Sequence, residues 1–365
     1  MVITGILITI VILFGFYYTH LPLFGKAPSG ERLERIKKSP QYKNGKFENI
    51  HFTPTLTKGY SFMGILYNQF FKRVPNKTPK IEIPSLKTNL KEFNTNENIV
   101  VWFGHSSYFM QIDGKKFLID PVFSGNASPI PNSIKAFKGS NDYQVADLPE
   151  IDFLIISHDH YDHLDYKTII ELKGKVKKII CGLGVGSHFE YWGYSPAIII
   201  EKDWYETEIL SDTITIHTTP ARHFSGRGLT RNNTLWLSFV LHTSESKIFI
   251  GGDSGYDSHF SEIGKEHGPF DLAILENGQY NLAWEAIHLL PEHFIKAASE
   301  LNAKRVFPVH SSKFALAQHN WDEPLSIVSD HHKKGNFNYT LITPKIGEAV
   351  LLDTPNQLFS EWWKS

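Results

Sequence analysis

Ile155-Ile156-Ser157-His158-Asp159-His160-Tyr161-Asp162-His163-Leu164-Asp165 is an apolar strand that runs out into three histidines and three aspartates. Neutral imidazole and carboxylate are the donors that zinc, iron and manganese use in proteins. Alternate residues of an extended turn face the same way, so His158 and His160 can share one ion. Asp162 and His163 follow where the chain bends into a helix, and they can face a second. Crowding bases and acids into so small a volume is costly unless a cation neutralises it, which sets this segment apart from an ordinary polar loop. Asp159 is the leftover acid of the group and receives no role.

Two ions need further donors. His223 follows the apolar run Ile214–Thr219, Asp253 follows Ile248–Ile250, and His310 closes Val306–Val309. Loops at strand ends are where scaffolds place sites. The single cysteine, Cys181, excludes an intrachain disulfide framework and a Cys-rich zinc module, so metal chemistry here must use the 18 histidines and the carboxylates. The chain has 365 residues, 41% of them hydrophobic and 21% charged, which excludes global disorder. A formal net charge of -1 gives no sign of a general nucleic-acid binder, and no nucleic-acid partner is expected.

The first 24 residues hold no charge between Val2 and Tyr18 and read as a single-pass membrane anchor, with Thr19–Phe24 extending the span and Tyr17 and Tyr18 in an interfacial belt. A cleaved signal peptide and a buried core helix are the rival readings. Lys26, Arg32, Arg35, Lys37, Lys38, Lys43 and Lys46 follow, which places the rest of the chain in the cytoplasm by the positive-inside rule. Residues 25–96 form a charged, proline-containing extension with short helices expected at Glu31–Lys38 and Gly59–Phe71. A compact domain spans 97–355, and 356–365 is a tail. Strands are expected at Asn98–Phe103, Tyr108–Ile112, Lys116–Ile119 (after an Asp113-Gly114 turn), Phe153–Ile156, Val176–Cys181, Ala197–Ile200, Thr213–Thr218, Trp236–His242, Lys247–Ile250, Leu272–Leu275 and Arg305–Val309. Helices are expected at Asp165–Leu172 and Pro291–Leu301. Strands dominate, which predicts sheet packed on sheet with helices outside.

The pattern His158-x-His160-x-Asp162-His163, then His223, Asp253 and His310, resembles the metallo-β-lactamase fold of dinuclear hydrolases. Trp102-Phe103-Gly104-His105-Ser106-Ser107, Leu118-Ile119-Asp120-Pro121, Ala221-Arg222-His223-Phe224-Ser225, Gly252-Asp253-Ser254-Gly255-Tyr256 and His310-Ser311-Ser312-Lys313-Phe314 narrow the resemblance to its N-acyl-phosphatidylethanolamine-hydrolysing phospholipase D branch, over residues 95–325. The resemblance implies an α/β, four-layer αββα sandwich. It implies that His158, His160 and His223 hold one zinc ion, that Asp162, His163 and His310 hold the other, and that Asp253 bridges them beside a hydroxide. Iron-dependent oxidoreductases of this fold usually carry Glu at the place of His160, which favours zinc, with iron kept open. It also implies phosphodiester hydrolysis, the products from such a lipid being an N-acylethanolamine and phosphatidic acid.

Two dications and two carboxylates leave a positive centre, suited to a phospholipid or another anionic diester. Asp253 and His288 are the expected catalytic residues, with His288, Arg222 and Tyr280 contacting substrate. Asp120 and Asp165 are candidates to hold the outer nitrogens of metal-bound imidazoles, with an Asp-Pro turn and a helix N-terminal acid as the respective alternatives. His105 reads as a loop-holding residue rather than a ligand. Arg227 and Arg231 are either phosphate contacts or structural charges, Trp192, Trp236, Tyr280 and Trp284 either line an acyl groove or fill the core, and the C-terminal Trp362-Trp363 pair either touches lipid or covers the core. The segment Leu275–Tyr280 departs from the branch, which leaves the substrate open: a lactone, a cyclic phosphodiester or an RNA end is the alternative, and a non-catalytic tethered binding module is the reading from another class. A homodimer is possible on family grounds.

Overall fold

Tyr108, Met110 and Ile112 alternate with Phe109 along one strand, and the two sets enter different layers of the molecule. The same period-two pattern recurs at Leu272 and Ile274 against Ala273 and Leu275. Each sheet is therefore buried on both faces, and helices must cover the outer ones.

The computed structural model describes residues 2–335 and 337–364. Helices α1 (Val2–Thr19) and α2 (Gly30–Ile36), the hairpin β1 (Tyr42–Lys43) and β2 (Lys46–Phe47), and helix α3 (Phe62–Phe71) come first. Strands β3 (Ile99–Trp102), β4 (Tyr108–Ile112), β5 (Lys115–Ile119) and β6 (Ile151–Ile156) follow. Next come α4 (Tyr166–Glu171), β7 (Val176–Gly182), α5 (Gly186–Tyr191) and β8 (Ile199–Lys202). The second half runs β9 (Thr207–Ile209), β10 (Thr215–Thr219), β11 (Ser238–His242), β12 (Lys247–Ile250), α6 (His259–His267), β13 (Leu272–Glu276), α7 (Pro291–Glu300), β14 (Arg305–Val309), α8 (Glu323–Lys334), β15 (Thr340–Leu341) and β16 (Ala349–Leu351).

Among the described residues these strands form two seven-stranded sheets, ordered β16-β3-β4-β5-β6-β7-β8 and β15-β14-β13-β12-β11-β10-β9. Pairing is antiparallel from β16 to β5 and parallel from β5 to β8. It is antiparallel from β9 to β12 and parallel from β12 to β15. The sheets pack through Trp102, Met110, Phe117, Ile155, Trp236, Phe239, Ile250, Ile274 and Phe307. Outside one sheet, Ile169 of α4 and Phe189 of α5 are buried; outside the other, Phe260 of α6, Phe294 of α7 and Val328 of α8 are buried. This is the αββα sandwich. Asp113 and Gly114 take φ of 47° and 71°, as a two-residue hairpin turn needs. Ile36, Phe47 and Ile83 of the N-terminal extension join the inter-sheet core, and Trp362 and Trp363 are buried against it from the C-terminus.

The expected transmembrane helix is corrected by the structure. Among the described residues no helix is long and apolar enough to cross a membrane. Helix α1 has 18 residues, which at a rise of about 1.5 Å span roughly 27 Å, short of a hydrocarbon core of about 30 Å. Residues expected to lengthen it are committed elsewhere. The Tyr18 hydroxyl donates to Pro129 O at 2.8 Å, Trp192 Nε1 donates to Pro22 O at 2.7 Å, and Arg227 donates to Leu23 O at 2.7 Å. The single-pass anchor, and the membrane localisation with a cytoplasmic domain that followed from it, are withdrawn.

Lys313 ties the two strand-end loops of the first sheet together. Its buried ammonium donates to Phe103 O at 3.0 Å and Val122 O at 2.9 Å. Lys313→Met leaves both carbonyls without a donor, and a loss of about 2 kcal/mol is expected, seen as a lower urea midpoint at unchanged slope. Burial pushes the Lys313 ammonium down to about 7, whereas an unfolded lysine titrates near 10.4. The folded state binds fewer protons between those values, so wild-type stability is expected to rise with pH across that window and the Met variant to lack this slope.

Candidate metal centre

Parallel strands deliver their C-terminal loops to one edge, and here both sheets do so at the same place. The loop after β6 carries His158 to His163, β10 leads to His223, β12 to Asp253, and β14 to His310. All of these side chains are buried or half-buried. The seven expected ligands converge. His158 Nε2 lies 2.9 Å from His160 Nδ1, and His223 Nε2 lies 3.2 Å from the same atom. Asp162, His163 and His310 bring one donor atom each within 4.8 Å of one another, as do His158, His163 and Asp253. Asp253 sits between the groups: Oδ2 is 3.2 Å from His163 Nε2, 3.8 Å from His223 Nε2 and 3.9 Å from His158 Nε2, while Oδ1 is 3.1 Å from His310 Nδ1.

These residues fit divalent ions on their own evidence of strain. His163 Nε2 and Asp253 Oδ1 are buried with no hydrogen-bond partner among the described residues, and such orphans call for an ion or ligand. Nitrogens that share an ion at about 2.0–2.1 Å stand roughly 3.3 Å apart, close to the spacing seen around His160. Burial and the neighbouring imidazoles hold His158 and His310 well below the usual histidine range, and burial does the same to His223, so their lone pairs are free. Against its burial, Asp253 is drawn down to about 2 by His163. His163 is held up, despite burial, by Asp253 and Asp162.

The surroundings orient the donors. Asp120 Oδ2 accepts from His163 Nδ1 at 2.8 Å, and the same carboxylate takes the Ser157 N–H at 2.8 Å and the Ser157 hydroxyl at 2.6 Å. His223 Nδ1 donates to Ile287 O at 2.9 Å. His105 Nε2 lies 2.9 Å from Asp162 Oδ2, behind that ligand. Arg227 fastens the ligand loop by donating to Asp159 O at 2.8 Å and Leu164 O at 2.7 Å. Asp159 holds the opposite loop, accepting from Gly226 N at 2.7 Å and Thr234 Oγ1 at 2.8 Å. Non-glycine residues with positive φ gather here, among them His105 at 54°, Asp120 at 41° and His310 at 67°, the kind of strain that clusters at functional sites.

Three expected residues go elsewhere. Asp165 accepts from Ser124 N at 2.9 Å and Thr168 Oγ1 at 2.6 Å, so it organises the start of α4 and touches no ligand imidazole. Arg222 donates to Thr53 Oγ1 at 3.0 Å, Tyr256 O at 2.9 Å and Phe52 O at 3.1 Å; these bonds fasten the N-terminal extension and occupy the guanidinium expected to grip substrate. The Tyr280 hydroxyl donates to Glu323 at 3.1 Å, and its ring lies on His319. His288, by contrast, stands at the centre, its ring 5.1 Å from that of His223 and 5.4 Å from that of His310. Two residues were missed. Glu276 Oε2 holds His288 Nδ1 at 2.8 Å, and its signal was an acid ending the apolar strand β13. Asn49 donates to His223 O at 2.8 Å and accepts from His223 N at 3.2 Å; nothing in the sequence connects it to a residue so distant in the chain.

This sandwich and its edge cluster define a metal-dependent hydrolase. Residues 115–311 match the beta-lactamase superfamily domain. An uncharacterized protein of Mycobacterium tuberculosis is 35% identical over 336 residues, 90% of this chain and 88% of the relative. The N-acyl-phosphatidylethanolamine-hydrolyzing phospholipase D 1 of Caenorhabditis elegans is 30% identical over 276 residues, 67% of this chain and 76% of the relative. Among solved structures, a metallo hydrolase from Ignicoccus hospitalis superposes with a TM-score of 0.53 at 19% identity, covering 70% of this chain and 98% of that one. The chain belongs to the beta-lactamase superfamily, alongside relatives named N-acyl-phosphatidylethanolamine-hydrolyzing phospholipase D.

Proposed function

We propose that this hydrolase is a dinuclear zinc phosphodiesterase that cleaves phospholipids of the N-acyl-phosphatidylethanolamine type into an N-acylethanolamine and phosphatidic acid. The observation that carries the reading is the Asp253 carboxylate set between two groups of histidines, 3.2 Å from His163 Nε2 and 3.1 Å from His310 Nδ1, with neither His163 Nε2 nor Asp253 Oδ1 hydrogen-bonded among the described residues. His158, His160 and His223 would hold one ion and Asp162, His163 and His310 the other, with Asp253 touching both. When bound, two zinc ions lower the pKa of water toward neutrality and offset charge on phosphoryl oxygens.

The chain's own residues do the rest. Asp253 orients the attacking oxygen by accepting its hydrogen bond. As the new P–O bond forms, the P–O bond to the ethanolamide oxygen breaks, and that oxygen needs a proton. His288 stands beside the ligands with Nδ1 turned to Glu276, which leaves Nε2 to supply it. A depression of about 610 Å³ lies beside Tyr161 of the ligand loop, lined by Leu23, Pro129, Phe137 and Tyr166, with Lys135 and Lys167 offset by Asp142 and Asp165.

The test pairs elemental analysis of the purified protein with a substrate panel. Zinc is expected at about two per chain, and product release from vesicles containing N-acyl-phosphatidylethanolamine is expected to exceed that from soluble diesters, cyclic phosphodiesters, lactones and RNA ends. Faster turnover of any soluble class by orders of magnitude refutes the lipid substrate; iron at stoichiometric level refutes zinc.

A further inference from the structure

His217, His242 and His267 form a second histidine cluster, separate from the catalytic centre. Ile216 and Leu241 point into the inter-sheet core, so their neighbours His217 on β10 and His242 on β11 face the opposite, helix-covered side. Thr215 pairs with His242 and His217 with Val240, which makes the two histidines diagonal neighbours. The end of α6 brings His267 over them. Ring centroids lie 4.7 Å (217 to 242), 5.1 Å (217 to 267) and 5.7 Å (242 to 267) apart. One nitrogen from each lies within 4.8 Å of the other two.

Two further observations point to a cation. His242 Nε2 is buried with no hydrogen-bond partner among the described residues. His217 Nδ1 is held by the Thr207 hydroxyl at 2.8 Å, the arrangement by which metal-bound histidines fix their outer nitrogen. Of the charged groups nearby, Glu266 lies 3.8 Å from His267 Nε2 and favours a cation, while the Lys247 ammonium, which donates to His267 O at 2.9 Å, opposes it. Burial lowers all three imidazoles, His242 to about 4, so the lone pairs are available at neutral pH.

We propose that His217, His242 and His267 bind a third divalent ion of the zinc class, pinning the end of α6 to β10 and β11, with water or Glu266 at the remaining position. Three imidazoles with an open fourth place are a sufficient zinc donor set. Nitrogens sharing an ion at about 2.0–2.1 Å stand roughly 3.3 Å apart, so rotation of the rings, whose nitrogens already lie within 4.8 Å of one another, closes the cluster.

The test titrates the full-length holoenzyme with zinc and counts bound metal by mass spectrometry. Wild type is expected to bind one equivalent more than His242→Ala and one more than His267→Gln, with turnover the same in all three. Zinc should raise the melting temperature of wild type further than that of either variant. If His242→Ala does not fold, His267→Gln carries the comparison, since its side chain is at the helix end. Asp253→Asn, directed at the catalytic pair, should keep the extra equivalent. Equal metal content in wild type and the histidine variants, or loss of this equivalent in Asp253→Asn, overturns the proposal.

Discussion

Asp253→Asn is expected to lower turnover at least about 10³-fold and to empty the catalytic pair of metal, while the chain stays folded. The substitution is nearly isosteric, so the packing of the loop after β12 is preserved. What changes is charge and hydrogen-bonding polarity. In the wild type the carboxylate faces imidazole nitrogens on both sides, with oxygens 3.1 Å from His310 Nδ1 and 3.2 Å from His163 Nε2. An amide puts N–H donors on one of those two sides, aimed at the space that imidazole lone pairs otherwise share with a cation. It also removes one of the two negative charges that offset the ions. Metal content and kcat are measured on the same samples, with circular dichroism as the control for folding. Activity above about a tenth of wild type with two metal equivalents missing relative to wild type would remove Asp253 from the mechanism.

The centre was readable where chemistry is dense in the chain. Three histidines and three aspartates at the end of an apolar strand carry their meaning locally, and His223, Asp253 and His310 repeat the strand-end position. Asp120 and Asp165 show where local reading stops. Both are acids beside the metal loop, and each had a structural alternative. The difference is sheet register: β5 pairs with β6 so that Ile119 faces Ile155, which sets Asp120 against Ser157 and His163. Asp165 has no such neighbour and bonds to Ser124 and Thr168 instead. Arg222 looked like an anion contact because it precedes His223, but its partners come from residues 52, 53 and 256. Helix α1 was visible as an apolar helix, and its membrane reading failed on length and on the bonds that tie residues 18–23 to the domain. Helix α6 was overlooked although Phe260, Ile263 and Gly264 mark one buried face at helical spacing. Gly278 sits in the segment that departs from the phospholipase branch; a Cβ there would lie 2.4 Å from His310 O, so its glycine is explained by close approach to a ligand's backbone rather than by substrate.

His288→Ala is expected to reduce kcat for the natural alkyl diester by about 10²–10⁴-fold while leaving bound metal unchanged. Its imidazole is not among the seven converging ligands, yet its ring lies 5.1 Å from that of His223 and 5.4 Å from that of His310. Glu276 faces its Nδ1 at 2.8 Å and accepts from the Leu289 N–H at 2.6 Å, so the ring is held in one orientation. Burial opposes a charge on His288, but Glu276 holds its proton more tightly than an ordinary histidine would. That pair is built to keep an acid beside a developing alkoxide. An alkoxide leaving group is strongly basic and gains most from protonation; an aryloxide leaves with little help. The variant should therefore lose far less rate on a nitrophenyl diester than on the lipid, and Glu276→Gln should fall between wild type and His288→Ala on the lipid. Equal losses on both substrates would show that His288 positions the diester rather than donating a proton, and a loss of bound zinc in the variant would make it a ligand.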